Sequence, residues 1–183
     1  GIIKECKDLD LENTQFEIEF TNPDYSDPFN KSVYLTNGID EVDFKVSFNK
    51  GEPPHSLSKV ASGGEMSRMM LSFKSYFSFV NPIGLMVFDE IDTGVSGATA
   101  KKIAIKMKEI ASRTQVLCIT HLPQVAAIGN YHKHIYKVLE DGRTKTHVKE
   151  LNYDERIDEI AMMLSGDKMS LYALEHAKAL LNE

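Results

Sequence analysis

Leu85-Met86-Val87-Phe88-Asp89-Glu90 places four apolar residues directly before two acids. A continuous apolar run of this length reads as a strand buried on both faces, with the acids delivered at its C-terminal end. Downstream, positions 100, 103, 104, 107, 110 and 111 are apolar within Ala98 to Arg113, which is the spacing of an amphipathic helix, and Val116 to Thr120 is a second strand of the buried type. Strand, helix and strand in this order require a right-handed crossover and hence a parallel sheet. Thr120-His121 closes the second strand as Asp89-Glu90 closes the first. Parallel sheets bind ligands at these carboxyl ends.

Upstream, Ser62-Gly63-Gly64-Glu65 precedes apolar positions 66, 69, 70, 73, 76, 77 and 80, so a glycine-rich loop opens a largely buried helix that ends at Asn81-Pro82. Met66, Met69 and Met70 belong to its core side. Gln15 to Phe20 and Val42 to Phe48 alternate with period two and predict two antiparallel strands, separated by a loop at Asn22-Pro23-Asp24 and Asp27-Pro28, with Asn37-Gly38 as the turn before the second. Residues 1 to 14 are polar and weakly patterned, so the strand at Gln15 is the first ordered element expected. After the parallel unit, Asp141-Gly142 marks a hairpin between His134 to Glu140 and Thr144 to Leu151, and two helices follow at about Tyr153 to Leu164 and Met169 to Leu181.

The chain has 183 residues, 42% hydrophobic and 26% charged, enough for one ordinary domain or a large part of one. It contains neither a leader pattern nor an apolar run near the ~18 residues of a membrane span, and it reads as soluble and cytoplasmic, with no membrane partner. Cys6 and Cys118 are far apart and read as reduced, packed thiols without a chemical role. A formal net charge of -6, from 21 basic and 27 acidic residues, is the wrong sign for gripping nucleic acid over a broad surface. Any DNA contact must be local or lie on other residues.

Each candidate site residue has a functional and a plain reading. Ser62-Gly63-Gly64-Glu65 at a helix mouth offers backbone N–H groups and a positive dipole end to a phosphate, yet is also an ordinary glycine turn. Asp89 and Glu90 could hold Mg2+ through its water shell and polarise an attacking water, or simply cap a strand. His121 could donate to a terminal phosphate or be a loop histidine. Their joint placement, with Asp89-Glu90 and His121 on strands joined by one helix, is what favours the functional reading. Arg68 suits a pair with an acid of this loop or a surface salt bridge equally, and His132 with His134 reads as a solvated turn, since no Cys or further His lies at metal-ligand spacing.

These motifs resemble those of ABC-type ATPases. Ser62-Gly63-Gly64-Glu65 resembles the signature motif, Leu85 to Glu90 the Walker B motif, Ile91 to Ser96 the D-loop, and His121 the switch histidine. The longer stretches Val60 to Arg68, Phe88 to Gly97, Thr120 to Ala126, Met163 to Gly166 and Ala173 to Lys178 are similar to the RecN family of bacterial DNA-repair ATPases. That resemblance implies an α/β fold, the C-terminal lobe of an ABC-type (P-loop NTPase) ATPase head, with parallel core strands, flanking helices and added antiparallel strands. It implies one lobe over 1–183, with 1–56 as strands after a coiled-coil exit and 57–183 carrying the motifs.

The resemblance further implies that Asp89 serves Mg2+ through water, Glu90 the attacking water and His121 the terminal phosphate. The turn of Ser62, Gly63, Gly64 and Glu65 would face ATP held by a second head of a homodimer, with Ser62 and Gly64 on its terminal phosphate. Asp92 to Ser96 would cross the dimer interface, although Ser96 stands where the wider superfamily usually has Asp. The phosphate-cradling G-x-x-x-x-G-K-[ST] loop occurs nowhere in the chain. ATP and Mg2+ would therefore need an N-terminal lobe of the same head. The chain alone is expected to be inactive, and strands deprived of neighbours should leave an exposed edge or apolar patch. DNA would be a partner of the full-length, nucleoid-associated protein. The competing readings are a chromosome-condensation head lobe, disfavoured by Thr93-Gly94-Val95-Ser96 in place of Ala-Ala-Leu-Asp, a transporter subunit, disfavoured by Glu65, and a non-catalytic docking module.

Overall fold

A computed structural model describes residues 1–21, 36, 38–60, 63–81, 83–89, 91–92, 94–95, 97–166 and 169–182. The chain divides into two compact units, Gly1–Phe73 and Lys74–Glu183. The division falls within the helix Gly63–Val80.

The first unit opens with a helix, α1 (Ile2–Asp8), where sequence reading expected none. Ile2, Cys6 and Leu9 recur at helical spacing, and Cys6 and Leu9 are fully buried, so tertiary burial supports a segment too short to be helical alone. β1 (Gln15–Thr21) and β2 (Glu41–Ser47) pair antiparallel as expected, with Phe16 opposite Val46, Ile18 opposite Phe44 and Phe20 opposite Val42. A short β3 (His55–Ser56) adds to β2. The period-two pattern thus puts one apolar face on the ribbon. Its inner end joins a core of Cys6, Leu11, Val46, Phe48, Met69 and Phe73, where the Phe16 and Phe73 rings meet edge to face at 5.3 Å. The expected loop at 22 to 35 and Asn37 lie outside the described residues.

α2 (Gly63–Val80) begins at the glycine loop, as expected. Its buried side is turned from the predicted one. Met69 is fully buried but Met70 and Phe77 are exposed, whereas Ser72, Ser75 and Ser78 are buried. The serines tolerate burial because hydroxyls can bond the preceding turn, as Ser72 does to the Arg68 carbonyl at 3.0 Å and Ser78 to that of Ser75 at 2.6 Å.

In the second unit β4 (Leu85–Asp89) and β5 (Gln115–Ile119) are parallel and joined by α3 (Gly97–Ala111), as the crossover argument requires. The expectation of burial on both faces fails. Met86 and Phe88 are buried, but Leu85, Val87, Leu117 and Ile119 are exposed, so one face of this pair stands bare. The continuous apolar run reads as one for two covered faces, and among the described residues one is covered.

β6 (His132–Glu140) and β7 (Arg143–Leu151) form the predicted hairpin. Asp141 and Gly142 have φ of 52° and 73°, the left-handed pair that a two-residue hairpin turn needs. α4 (Pro123–Ala127), α5 (Tyr153–Ser165) and α6 (Leu171–Leu181) complete the unit, packed through Ala127, Ile157, Ile160, Ala161, Ala173 and Ala177. α5 starts with a reciprocal capping box between Asn152 and Glu155. No helix among the described residues is long and apolar enough to cross a membrane.

Candidate functional site

Asp89 is the last residue of β4 and lies opposite Ile119, the last of β5, so His121 follows two residues beyond the same strand end. The parallel pairing therefore brings the acid and the imidazole to one edge, as the sequence predicts. Glu90, Thr93 and Ser96 lie outside the described residues. Between them, Ile91 and Asp92 fold inward, the Val95 N–H bonds the Asp92 carbonyl at 3.3 Å, and Gly94 takes a φ of 71° that favours glycine.

Asp92 is fully buried. Its Oδ2 accepts the Thr120 hydroxyl, whose oxygen in turn accepts the Leu122 N–H at 3.0 Å. Its Oδ1 stands 3.6 Å from His121 Nδ1, while the His121 side chain is 64% exposed. The carboxylate thus has its partners inside the chain. Cys118, one strand position before Ile119, has its thiol pushed up to about 11 by burial and then by the charges of Asp92 and Asp89, which keeps it protonated and unreactive.

Gly63 opens α2, where a helix carries N–H groups without intrahelical partners and the positive end of its dipole. A Cβ added at Gly63 would meet no described atom within 4 Å. Packing inside this chain therefore does not demand glycine there, while close approach of a ligand would. Glu65 is half-buried in the first turn, and Ser62 lies outside the described residues. Gly63, Gly64 and Glu65 belong to the first unit, Asp89 and His121 to the second. Arg68 buries its Nε with no hydrogen-bond partner among the described residues.

The pair His132 and His134 is not a solvated turn. Both stand in β6, and His134 Nδ1 meets Glu159 of α5 at 2.7 Å. Burial, followed by the charge of Arg156, holds the His132 imidazole below its ordinary pKa. Arg156 itself clamps the carbonyls of Gly129 at 2.6 Å and Asn130 at 3.2 Å. The hairpin starts earlier than its polar sequence suggested, with His132 opposite Leu151 and Lys133 opposite Glu150. The tie between Asp92 and Thr120 is the feature of this site that the sequence reading did not contain.

The chain is 47% identical to the DNA repair protein RecN of Bacillus subtilis over 189 aligned residues, covering 100% of this chain and 33% of that protein. It is 44% identical to the DNA repair protein RecN of Halalkalibacterium halodurans, covering 100% of this chain and 32% of that protein. It thus spans about a third of the length of the curated relatives it matches. No family model matches. Among solved structures, the Smc head domain with a coiled coil and joint from Pyrococcus yayanosii aligns over 87% of this chain and 28% of that one, with a TM-score of 0.56 and 21% identity. An SMC ATPase structure from work on ATP-driven dimerization and DNA-stimulated activation aligns over 91% of this chain and 93% of that one, with a TM-score of 0.52 and 18% identity. Over the third of a RecN protein that it spans, this chain belongs to the RecN family, and its fold is that of an SMC-type ATPase head.

Proposed function

We propose that this chain supplies the signature turn, Walker B acids, D-loop and switch histidine of a RecN-like ATPase that acts in DNA double-strand-break repair and recombination. The observation that carries the reading is the delivery of Asp89 and His121 to one carboxyl edge of the parallel pair. Family membership supports it through the relatives named DNA repair proteins. ATP would be held jointly with a P-loop-bearing N-terminal lobe of the same head and with a second head in a homodimer, and DNA would be engaged by the longer protein.

The described residues include no cluster of three or more His, Cys, Asp or Glu able to cage a metal. A donor set of one carboxylate suits Mg2+, which keeps most of its waters and takes its other ligands from phosphates. Asp89 would hold it, and Mg2+ would supply charge neutralisation at the phosphates. Glu90 would orient the attacking water, and His121 would face the terminal phosphate. Ser62 and Gly64 at the mouth of α2 would contact the terminal phosphate bound by the opposite head, with Gly63 and Glu65 in the same turn and Ser96 at the interface. Such a site works by positioning and electrostatics.

The bare face of β4 and β5 suits a docking module as well, and one experiment separates the two readings. Mixed with a P-loop-bearing lobe, the chain should gain ATP turnover that Glu90→Gln abolishes, whereas the chain alone should show none. Association without turnover would leave docking as the function, and turnover that survives Glu90→Gln would refute the assignment of the acids.

A further inference from the structure

Asp92, within the D-loop stretch, is a fully buried carboxylate to which the reading above gives no role of its own. One oxygen accepts the Thr120 hydroxyl. The other, Oδ1, has no hydrogen-bond partner among the described residues. Burying an ionisable oxygen without a donor is unfavourable, and such an atom in a folded chain calls for an explanation. The imidazole Nδ1 of His121 stands 3.6 Å from it, just beyond hydrogen-bond reach. Separations of this kind are common before substrate tightens a site.

The surrounding bonds hold His121 from both sides. Thr120 precedes it and is tied to Asp92, while Leu122 follows it and donates its N–H to Thr120 at 3.0 Å. The backbone of the histidine is therefore clamped to the same aspartate that its ring approaches.

We infer that Asp92 is a positioning residue for His121, drawing the Nδ1 proton toward Oδ1 so that the ring presents Nε2 at the strand ends. In an imidazole the hydrogen bond made by one nitrogen decides the role of the other. With Nδ1 turned to a carboxylate, Nε2 carries either a lone pair or the ring's second proton, and an anion arriving there selects the second proton. Asp92 thereby converts an exposed loop histidine into an oriented donor for a phosphate oxygen. The role for phosphate rests on the function proposed above, but the coupling of Asp92 to His121 does not.

Two readouts keep these apart. Long-range 1H–15N correlation spectra of the 15N-labelled chain, recorded at high pH with His121→Gln to identify the resonance, report which nitrogen carries the proton. The expected result is the Nδ1–H form for His121, changing to the Nε2–H form in Asp92→Asn, whose amide can donate to Nδ1. Thr120→Val, which removes the hydroxyl and keeps the branched shape, should loosen the ring without reversing the form. An Nε2–H form in the unmodified chain, or one unchanged by Asp92→Asn, overturns the inference whatever the ATPase result. In the chain assembled with a P-loop-bearing lobe, Asp92→Asn should lower kcat about 10- to 100-fold with KM for ATP within about twofold. A kcat within twofold of the unmodified assembly also overturns it. An assembly that lacks turnover with the unmodified chain counts against the proposed function, while the spectra still decide the coupling.

Discussion

The bare face of the parallel pair offers the most direct test of the proposed division of the head. Val87 and Leu117 are cross-strand neighbours that remain 46% and 52% exposed. Full burial of a Val or Leu side chain stabilises by about 1.5–3 kcal/mol, so the exposed halves of this pair leave about that much, together, for a covering lobe to gain. Threonine keeps strand preference and one methyl, so the double substitution Val87→Thr with Leu117→Thr should remove about 1–2 kcal/mol of that gain. Affinity for the P-loop-bearing lobe should fall about 5- to 30-fold, read by titration calorimetry or fluorescence anisotropy. Both residues are already half in water, so the chain's own Tm should move by no more than about 4 °C. An affinity loss below about threefold, or a Tm loss that accounts for it, would refute the view that this face receives the lobe.

Three further outcomes are expected. His132 is held below its ordinary pKa by burial, so it binds protons more readily once unfolded; its contribution is fully present above the unfolded value near 6.5 and is lost as pH falls below it. Thermal melts at pH 7.5 and 5 should therefore show a smaller acid-induced loss of Tm in His132→Asn than in the unmodified chain, and an equal or larger loss would contradict the assignment. Asn152→Ala removes the cap of α5 and should destabilise the chain by about 0.5–2 kcal/mol in urea unfolding, with no effect if the capping box is not formed. Cys118, raised to about 11, should react with iodoacetamide at pH 8 far more slowly in the native chain than in urea, and comparable rates would show that the thiol is not shielded.

The parts of the fold legible in sequence were those whose pattern is decided locally. The alternation in β1 and β2, the Asp141-Gly142 turn and the order of β4, α3 and β5 each reflect a period or a φ preference that survives in the structure. α1 escaped notice because Ile2, Cys6 and Leu9 lie among charged residues, and the packing of Ile2 and Cys6 in the cluster with Met69 and Val46 is a tertiary contact. The rotation of α2 was hidden for a different reason. Serine counts as polar in any apolar pattern, yet Ser72 and Ser78 carry their own hydrogen-bond acceptors within the helix. At the site, the strand order was enough to bring Asp89 and His121 together. The bond from Thr120 to Asp92 was not legible, because nothing in the neighbours' identity reveals that this carboxylate turns toward a residue 28 positions away.

One consequence of the half-covered strand pair concerns the order of events during synthesis. Within Lys74–Glu183 several pairings link elements adjacent in order: α3 lies between β4 and β5, two residues join β6 to β7, and α6 follows α5. Such contacts form early, whereas a cover drawn from distant residues waits for a large loop to close. Newly made chains of this type would then hold a finished hairpin and helix pair beside greasy strands that invite chaperones or self-association. If the proposed N-terminal lobe is that cover, balanced co-expression of the two, with neither in excess, is the production strategy that follows.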